Sequence, residues 1–194
     1  SGAFSDAAGN TNNDGSDRNN SVRFSVDTAA PTISVAINDG GDDFLNAAEA
    51  GSASITGTTS GAEDGQTVSI AISSSGGGTP INTTATTNSN SYSLSNLDLS
   101  SLNDGTLTIT ADVSDLAGNS ATQATDSTTK DTASPTISVA INDGDDGRLN
   151  AAEDGSVTIS GTTSGAEDDQ TVSISIIDGS NTVNTYATVT SNAY

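Results

Sequence analysis

The sequence predicts an all-β protein built from repeated sandwich modules, and three observations support that prediction. Apolar and polar residues alternate over short runs such as Ile33, Val35 and Ile37, which is the two-residue period of a half-buried strand. Clusters of Gly, Asn, Asp and Pro separate these runs at turn-like spacing. The stretch 31–49 returns at 135–153, 104 residues later. The chain of 194 residues is therefore expected to consist of modules of about a hundred residues each.

The repeat divides the chain into three predicted segments. Residues 1–30 are expected to be the last strands of a preceding module, because the turn 5–10 matches the turn 114–119. Residues 31–134 form a complete module. Residues 135–194 are the first strands of the following module, in which Tyr194 corresponds to Tyr92 and the rest of the repeat is missing. We therefore expect the chain to be a segment of a longer tandem array.

The strands of the complete module are predicted from their inward-facing positions. Strand D is expected over 81–87, the segment 92–102 is expected to pair briefly and then cross between sheets, and strand G is expected over 120–129. Gly118 and Asn119 are expected to supply the positive φ of the turn before strand G. Seven such strands indicate a Greek-key sandwich of immunoglobulin type. The inward-facing residues of strands A, B, C and F are Ile33, Val35, Ile37, Ala53, Ile55, Val68, Ile70, Ile72, Leu107, Ile109, Ala111 and Val113.

Composition excludes several classes of function. The net charge is −21, from 25 acidic and four basic residues, so nucleic acid and direct contact with an anionic membrane are not expected. Histidine and cysteine are absent, which excludes disulfides, disfavours zinc and leaves the many serines without a base. We therefore do not expect an enzyme. Aromatic residues make up 3% of the chain, so each core is thin and its stability margin small.

The predicted topology places acidic groups at the two ends, or poles, of each module. Strands alternate in direction, so the A-B loop (38–51), the C-D turn (76–80), the E-F turn (103–105) with Asp104 and the outgoing linker at Asp131 share the bottom pole. The B-C loop (61–65) and the F-G turn (115–119) share the top pole. Where modules stack, the bottom acids of one face the top acids of the next. The predicted ligands are Asp27, Glu63, Asp64 and Asp115 at the first junction, and Asp131, Glu167, Asp168 and, as a further candidate, Asp169 at the second.

Calcium is the predicted cofactor of these junctions. Facing carboxylates repel one another unless a cation lies between them, and screening reaches only about 8 Å. Calcium takes six to eight oxygen ligands in irregular shells, as carboxylate and carbonyl groups provide. The alternative interpretation is that these acids belong to solvated turns. The predicted partners of a module are then its neighbours in the same chain.

The A-B loop is a second candidate calcium site. Its donors in the second copy are spaced somewhat like those of an EF-hand loop, whereas the first copy carries its two glycines earlier and so spaces its donors differently. The alternative is a polar turn followed by a short helical segment that Asn46 or Asn150 caps. The predicted ligands are Asp39, Asp42, Asp43 and Glu49 in the first copy, and Asp143, Asp145, Asp146 and Glu153 in the second.

A binding function is the remaining alternative. Threonines two residues apart, such as Thr106, Thr108 and Thr110, are compatible with an ice- or glycan-binding face. Threonine is, however, also common on the solvent-exposed face of strands because of its high β propensity. The six Tyr and Phe residues are too scattered to indicate an aromatic binding surface.

Several motifs resemble a known family. The junctions 27–32 and 131–136, the turn 113–119 and the run 156–167 are similar to bacterial immunoglobulin-like repeats, and more narrowly to extender modules of giant calcium-dependent adhesins of the repeats-in-toxin class. The resemblance implies an extracellular fibre on the bacterial cell surface that calcium stiffens. Such a spacer would hold a distal adhesive domain, whose ligand is unknown, away from the cell for adhesion or biofilm formation.

Overall fold

A computed structural model describes residues 5–10 and 24–194, in which strands are the main regular secondary structure and turns and irregular segments connect them. A four-residue helix, α1 (Ala47–Ala50), lies between the third and fourth strands. None of the described helices is long and apolar enough to cross a membrane. The strands in chain order are β1 (Thr32–Ile33), β2 (Ala36–Asn38), β3 (Phe44–Leu45), β4 (Ala53–Ser60), β5 (Thr67–Ser74), β6 (Ile81–Thr86), β7 (Ser91–Leu97), β8 (Gly105–Asp112), β9 (Ala124–Lys130), β10 (Thr136–Ile137), β11 (Ala140–Ile141), β12 (Ile159–Ser160), β13 (Thr163–Ser164), β14 (Thr171–Asp178) and β15 (Asn181–Thr188).

Strands β1 to β9 form the predicted two-sheet sandwich. One sheet contains β1 and β2 on one side of β4 and β7 on the other. The second sheet has the order β3-β9-β8-β5-β6. The chain crosses between the sheets after β2, β3, β4, β6 and β7, which gives the Greek-key connectivity of an immunoglobulin-like domain. The predicted fold class is confirmed.

A single apolar core lies between the two sheets. The predicted inward positions of strands B, C and F are buried, whereas Ile33 and Val35 are only partly buried and pack against its margin. Leu99 and Leu102, in the crossover after β7, are 0% and 1% exposed and close the bottom of the core. The period-two pattern thus identified the core because each strand of the sandwich faces the core on one side and solvent on the other.

Three elements differ from the predicted strand list. Strand A is divided into β1 and β2, and the predicted A-B loop contains β3, which pairs in parallel with β9 in the opposite sheet. The segment after Tyr92 pairs with β4 over the length of β7 rather than briefly. Strand G begins at Ala124, not at Ser120. These differences depend on which strands lie next to one another in the two sheets. The period-two pattern of a single strand does not determine its neighbours.

A buried tyrosine fixes the position of the first strand on β4. The Tyr92 hydroxyl donates to the carbonyl of Ser34 at 2.6 Å, and its ring lies against Gly57, where a Cβ atom would collide with the ring and with the Ser34 carbonyl. The second copy repeats the arrangement, since Tyr194 donates to Ser138 at 2.6 Å. This shared contact shows that the two copies have the same local register.

The second copy lacks strands equivalent to β7, β8 and β9 among the described residues. Its strands β14 and β15 form an eight-pair hairpin, while β12 and β13 are two residues each where the first copy has the eight-residue β4. Its apolar side chains are correspondingly exposed: Leu149 is 41% exposed, whereas its counterpart Leu45 is 0% exposed. The short helix α1 is replaced by a turn and a 3-10 segment at Asp154–Ser156.

Candidate metal sites at the module poles

The structure gathers the loops at the two poles as the topology predicts. At the bottom pole, the amide of Asp131 in the outgoing linker donates to the carbonyl of Leu45 at 3.0 Å, and the amide of Thr132 donates to Asp104 Oδ2 at 3.0 Å. At the top pole, the amide of Leu116 in the F-G turn donates to Glu63 Oε2 in the B-C loop at 2.8 Å. Loops that lie far apart in the chain therefore share each pole.

The first junction set meets at the top pole around Asn119. The Asn119 side chain donates from Nδ2 to the carbonyl of Asp27 at 3.2 Å and to Asp115 Oδ2 at 2.8 Å. Glu63 is linked to the same turn through Leu116. The structure thus brings the Asp27 main chain, Asp115 and Glu63 to one place, where the incoming linker meets the module.

Asp115 also has a structural role in the F-G turn. Its side chain is nearly fully buried and accepts from the Asn119 amide at 2.7 Å as well as from Asn119 Nδ2. Hydrogen bonds, chiefly from the Asn119 side chain, lower the pKa of Asp115 and favour its ionised form. Asp6 and Asn10 form the same clamp in the preceding turn. Gly118 has a φ of 93°, but Asn119 lies outside the positive-φ region, so that prediction is wrong for Asn119.

Asp64 is bound to a different turn of the top pole. Its Oδ1 accepts from the amide of Ser89 at 2.7 Å, and Asp168 makes the same contact with Ser191 at 2.7 Å in the second copy. Ser89 and Asn90 in this turn both have positive φ, and Asp64 satisfies the Ser89 amide there. Asp64 therefore holds the turn before β7 and Asp168 the equivalent turn before Tyr194, and their metal role stays a prediction.

The second junction set is not joined in the described residues. The Asp131 carboxylate accepts from the amide of Ala133 at 3.0 Å, while Asp168 is bound to Ser191. Glu167 and Pro135 line an open cavity of about 400 Å³ on the second copy. No hydrogen bond within residues 24–194 links Asp131 to Glu167 or Asp168. The F-G turn that completes the top pole in the first copy has no counterpart before Tyr194.

The two A-B loops follow the same backbone path despite their different acids. Positive φ occurs at Gly40, Gly41 and Asp43 in the first copy, and at the equivalent residues Gly144, Asp145 and Gly147 in the second. The loops therefore exchange Gly and Asp at two left-handed positions, which both residue types tolerate better than most. The shifted donor spacing that the sequence indicates comes from this exchange, not from a different loop shape.

The acids of these loops mainly support the loops themselves. Asp39 accepts from the Gly41 amide at 3.0 Å and from the Thr128 hydroxyl at 3.1 Å. Asp42, Asp143 and Asp146 each accept from the amide two residues later. Such Asx-type contacts stabilise turns without any metal.

The predicted capping alternative is confirmed for the first copy. Asn46 caps α1, and Glu49 returns a hydrogen bond to the Asn46 amide, which completes a capping box. Asn150 and Glu153 keep two of the same contacts in the second copy. The metal assignment of Glu49 and Glu153 is not needed to explain their positions and stays a prediction.

Sequence reasoning missed a polar seam along β9. The inward side of this strand carries Asp126, Thr128 and Lys130, each with a defined partner. Asp126 accepts from the Ile37 amide at 2.8 Å, Thr128 donates to Asp39, and Lys130 Nζ donates to the Leu102 carbonyl at 2.6 Å. Three polar residues at period two, where strands of this module otherwise carry apolar residues, are the signal that could have revealed the seam.

The donor chemistry of the first junction suits a hard cation. All of its side-chain ligands are oxygen donors, and an ionised carboxylate has about four lone-pair sites, of which Asp115 uses two on Asn119. Within residues 5–10 and 24–194, no three acidic side chains lie close enough to hold an ion together. An ion here would combine Glu63 and Asp115 with carbonyl oxygens such as that of Asp27, a mixture that calcium accepts.

The fold and these poles define a class of protein: tandem immunoglobulin-like sandwiches with acid-rich ends. No protein-family model and no curated protein matches the chain. Among solved structures, a bacterial immunoglobulin-like domain from the M. primoryensis ice-binding adhesin is 30% identical, and the match covers 52% of this chain and 96% of that domain with a TM-score of 0.34. On this identity across nearly the whole of that domain, the chain belongs to the family of bacterial immunoglobulin-like domains.

Two longer structures are also similar to this chain. A tetra-tandem repeat from the extending region of a large adhesion protein is 30% identical over 86% of this chain and 40% of its own, with a TM-score of 0.44. A Ca2+-stabilised adhesin that helps an Antarctic bacterium reach out and bind ice is 29% identical over 99% of this chain and 46% of its own, with a TM-score of 0.49. The chain thus spans less than half the length of either structure.

Proposed function

We propose that this chain is a spacer segment of a large bacterial adhesin, exposed at the cell surface, and that calcium at the module junctions stiffens it. The observation that supports this most directly is the meeting of the incoming linker with two carboxylates at the top pole. Asn119 connects the Asp27 carbonyl to Asp115, and Glu63 is bonded to the same turn. The sequence similarity to an extending-region repeat and to a Ca2+-stabilised adhesin supports the same function.

The mechanism follows from charge and from the thin core. Without a cation, the carboxylates of Glu63 and Asp115 repel the acids of the neighbouring module, so the linker samples many directions. An ion bound by the Asp27 carbonyl and these carboxylates would reverse that repulsion and select the aligned arrangement. Because it binds only the aligned folded state, it adds RT ln(1 + [L]/Kd), about 2.7 kcal/mol at a hundredfold excess over Kd.

The test compares the full chain with and without a calcium chelator. We expect calcium to raise the melting temperature by roughly 10 °C or more and to lengthen the maximum dimension in small-angle scattering. Glu63→Gln should weaken calcium binding measured by calorimetry, since it removes a charge while its amide oxygen can still accept from Leu116. Asp178→Asn, a charge-matched change in the β14–β15 hairpin, is the control. Melting and dimension that do not respond to the chelator would reject the proposal.

One observation favours a second candidate, the binding of ice or a glycan. The outer face of the five-stranded sheet aligns hydroxyl groups across strands, with Thr108 opposite Ser127 and Thr110 opposite Thr125. A flat hydroxyl-rich face could contact an ordered array of water or sugar hydroxyls. Ice-affinity and glycan-array measurements on the chain, with Thr108→Lys as the disrupting variant, would detect it; no signal from the unaltered chain would dismiss it.

A further inference from the structure

Lys130 is a buried cation at the point where the chain leaves the complete module. Its side chain is 5% exposed. The ammonium donates to the Leu102 carbonyl at 2.6 Å and to Asp104 Oδ1 at 3.3 Å. A lysine is almost never buried unless its charge is paired, so this position at the end of β9 is held by specific partners and not by a snorkelling side chain.

Asp104 connects Lys130 to the outgoing linker by hydrogen bonds. Besides Lys130, its carboxylate accepts from the Thr132 amide at 3.0 Å and from the Thr132 hydroxyl at 3.0 Å. The neighbouring Asp131 amide donates to the Leu45 carbonyl. The amides of both residues that come after Lys130 are therefore bonded to the bottom pole, one to the A-B loop and one to the E-F turn.

Charge explains why the lysine belongs to this attachment. The bottom pole also carries Asp131 and the acids of the A-B loop. Without a neutralising cation, the negative charge of Asp104 would increase the repulsion among these carboxylates next to the linker. The hydrogen bonds from Thr132, followed by those from Lys130 and its positive charge, lower the pKa of Asp104 and keep it ionised. Ionised Asp104 is the stronger acceptor for Thr132, and Lys130 offsets its charge from inside the fold.

The incoming linker of the same module lacks this cation. The junction 27–32 repeats the junction 131–136, and Thr28 corresponds to Thr132, but the position of Lys130 is occupied by Val26. Val26 is 73% exposed. The two junctions in one chain thus share a similar linker sequence. They differ at the residue directly before the linker, which is a lysine at the outgoing junction and a valine at the incoming one.

We propose that the side-chain ammonium of Lys130 fixes the direction in which the chain leaves the complete module, and that it does so without a bound metal. Lys130 holds Asp104 in place, and Asp104 holds Thr132. The first residues of the outgoing linker are then ordered at low calcium, and calcium bound by Asp131 would add to that order rather than create it.

The test measures amide hydrogen exchange by NMR on the full chain in the presence of a calcium chelator. Lys130→Met keeps the length of the side chain and removes its charge, and we expect the Thr132 amide to exchange about tenfold faster while Ile109 in the core is unchanged. Lys130→Arg should keep most of the protection. Arg148→Met is the matched control, because it makes the same charge change at an exposed position and should leave Thr132 unaffected.

Two results would overturn the proposal. Thr132 protection that is the same in Lys130→Met and in the unaltered chain would show that the linker needs no ammonium. Equal acceleration of Thr132 and Ile109 in that variant would show that Lys130 only stabilises the module as a whole. Every hydrogen-exchange measurement is made in chelator, so the result for Lys130 does not depend on whether calcium binds the junctions. A negative result for Lys130 would likewise leave the calcium proposal to its own test, the response of melting temperature and maximum dimension to the chelator.

Discussion

Residues 31–92 and 135–194 have closely similar sequences but very different burial. Leu45 and Ile37 are 0% and 7% exposed in the first copy, and their counterparts Leu149 and Ile141 are 41% and 40% exposed in the second. The local contacts agree: both copies keep the tyrosine contact, the Asx-type turns and the positive-φ positions. Within residues 24–194, no strands equivalent to β8 and β9 cover the second copy. The repeat therefore encodes local geometry by itself, whereas burial requires the second half of the sandwich.

Truncation of the equivalent leucines should give the largest difference between the copies. Leu45→Ala removes a fully buried side chain, and we expect the free energy of unfolding to fall by about 2 to 5 kcal/mol. Leu149→Ala should cost less than about 1 kcal/mol, since much of that side chain is already in water. Urea denaturation followed by circular dichroism measures both. Equal losses would mean that the second copy is covered in solution.

A methyl group added at Gly57 should disturb the first copy severely. The new Cβ would meet the Ser34 carbonyl and the Tyr92 ring, so we expect Gly57→Ala to cost about 3 kcal/mol, at the upper end for overpacking. Gly51→Ala is the control in the same module, because its Cβ would make only ordinary contacts, at 3.5 Å or more. A loss at Gly57 no larger than that at Gly51 would contradict the tyrosine contact.

Alkaline pH should reveal the burial of Tyr92. Burial raises the pKa of Tyr92 to about 12 from its usual 10. Above pH 10 the unfolded chain loses this proton while the folded chain keeps it, so stability falls as pH rises from about 10 through about 12, by about 2 to 3 kcal/mol in total. Tyr92→Phe should abolish that part of the loss in urea titrations, and Tyr194→Phe should leave it in place.

The cap of the short helix should give the smallest effect and distinguish the copies again. Asn46→Ala removes acceptors for the amides of Ala48 and Glu49, and we expect a loss of about 1 kcal/mol. The Asn150 side chain accepts from a single amide, that of Ala152, so Asn150→Ala should cost less. Thermal unfolding of the two variants in chelator measures the difference. A larger loss for Asn150 would argue that the second copy also forms the helix in solution.

The polar seam shows what sequence reasoning could and could not reach. The loops that carry Glu63, Asp104 and Asp131 meet the partners that strand alternation predicts, because alternation alone fixes which loops share an end. The partners of Lys130, Asp126 and Thr128 were not predicted, because β9 meets residues 26 to 89 positions away. Asp115 was predicted as a candidate ligand, but its clamp on Asn119 was not.

By itself, the sequence determined the period-two strands, the module repeat and the oxygen-rich loops, since each of these is set by residues close together in the chain. Only the tertiary structure decided that strand A divides, that β3 joins the opposite sheet and that Lys130 binds Asp104 at the root of the linker. The physical reason is that a strand's inward side follows from its own alternation of residues. Its neighbours, and the buried polar contacts they make, depend on packing between segments that are distant in the chain.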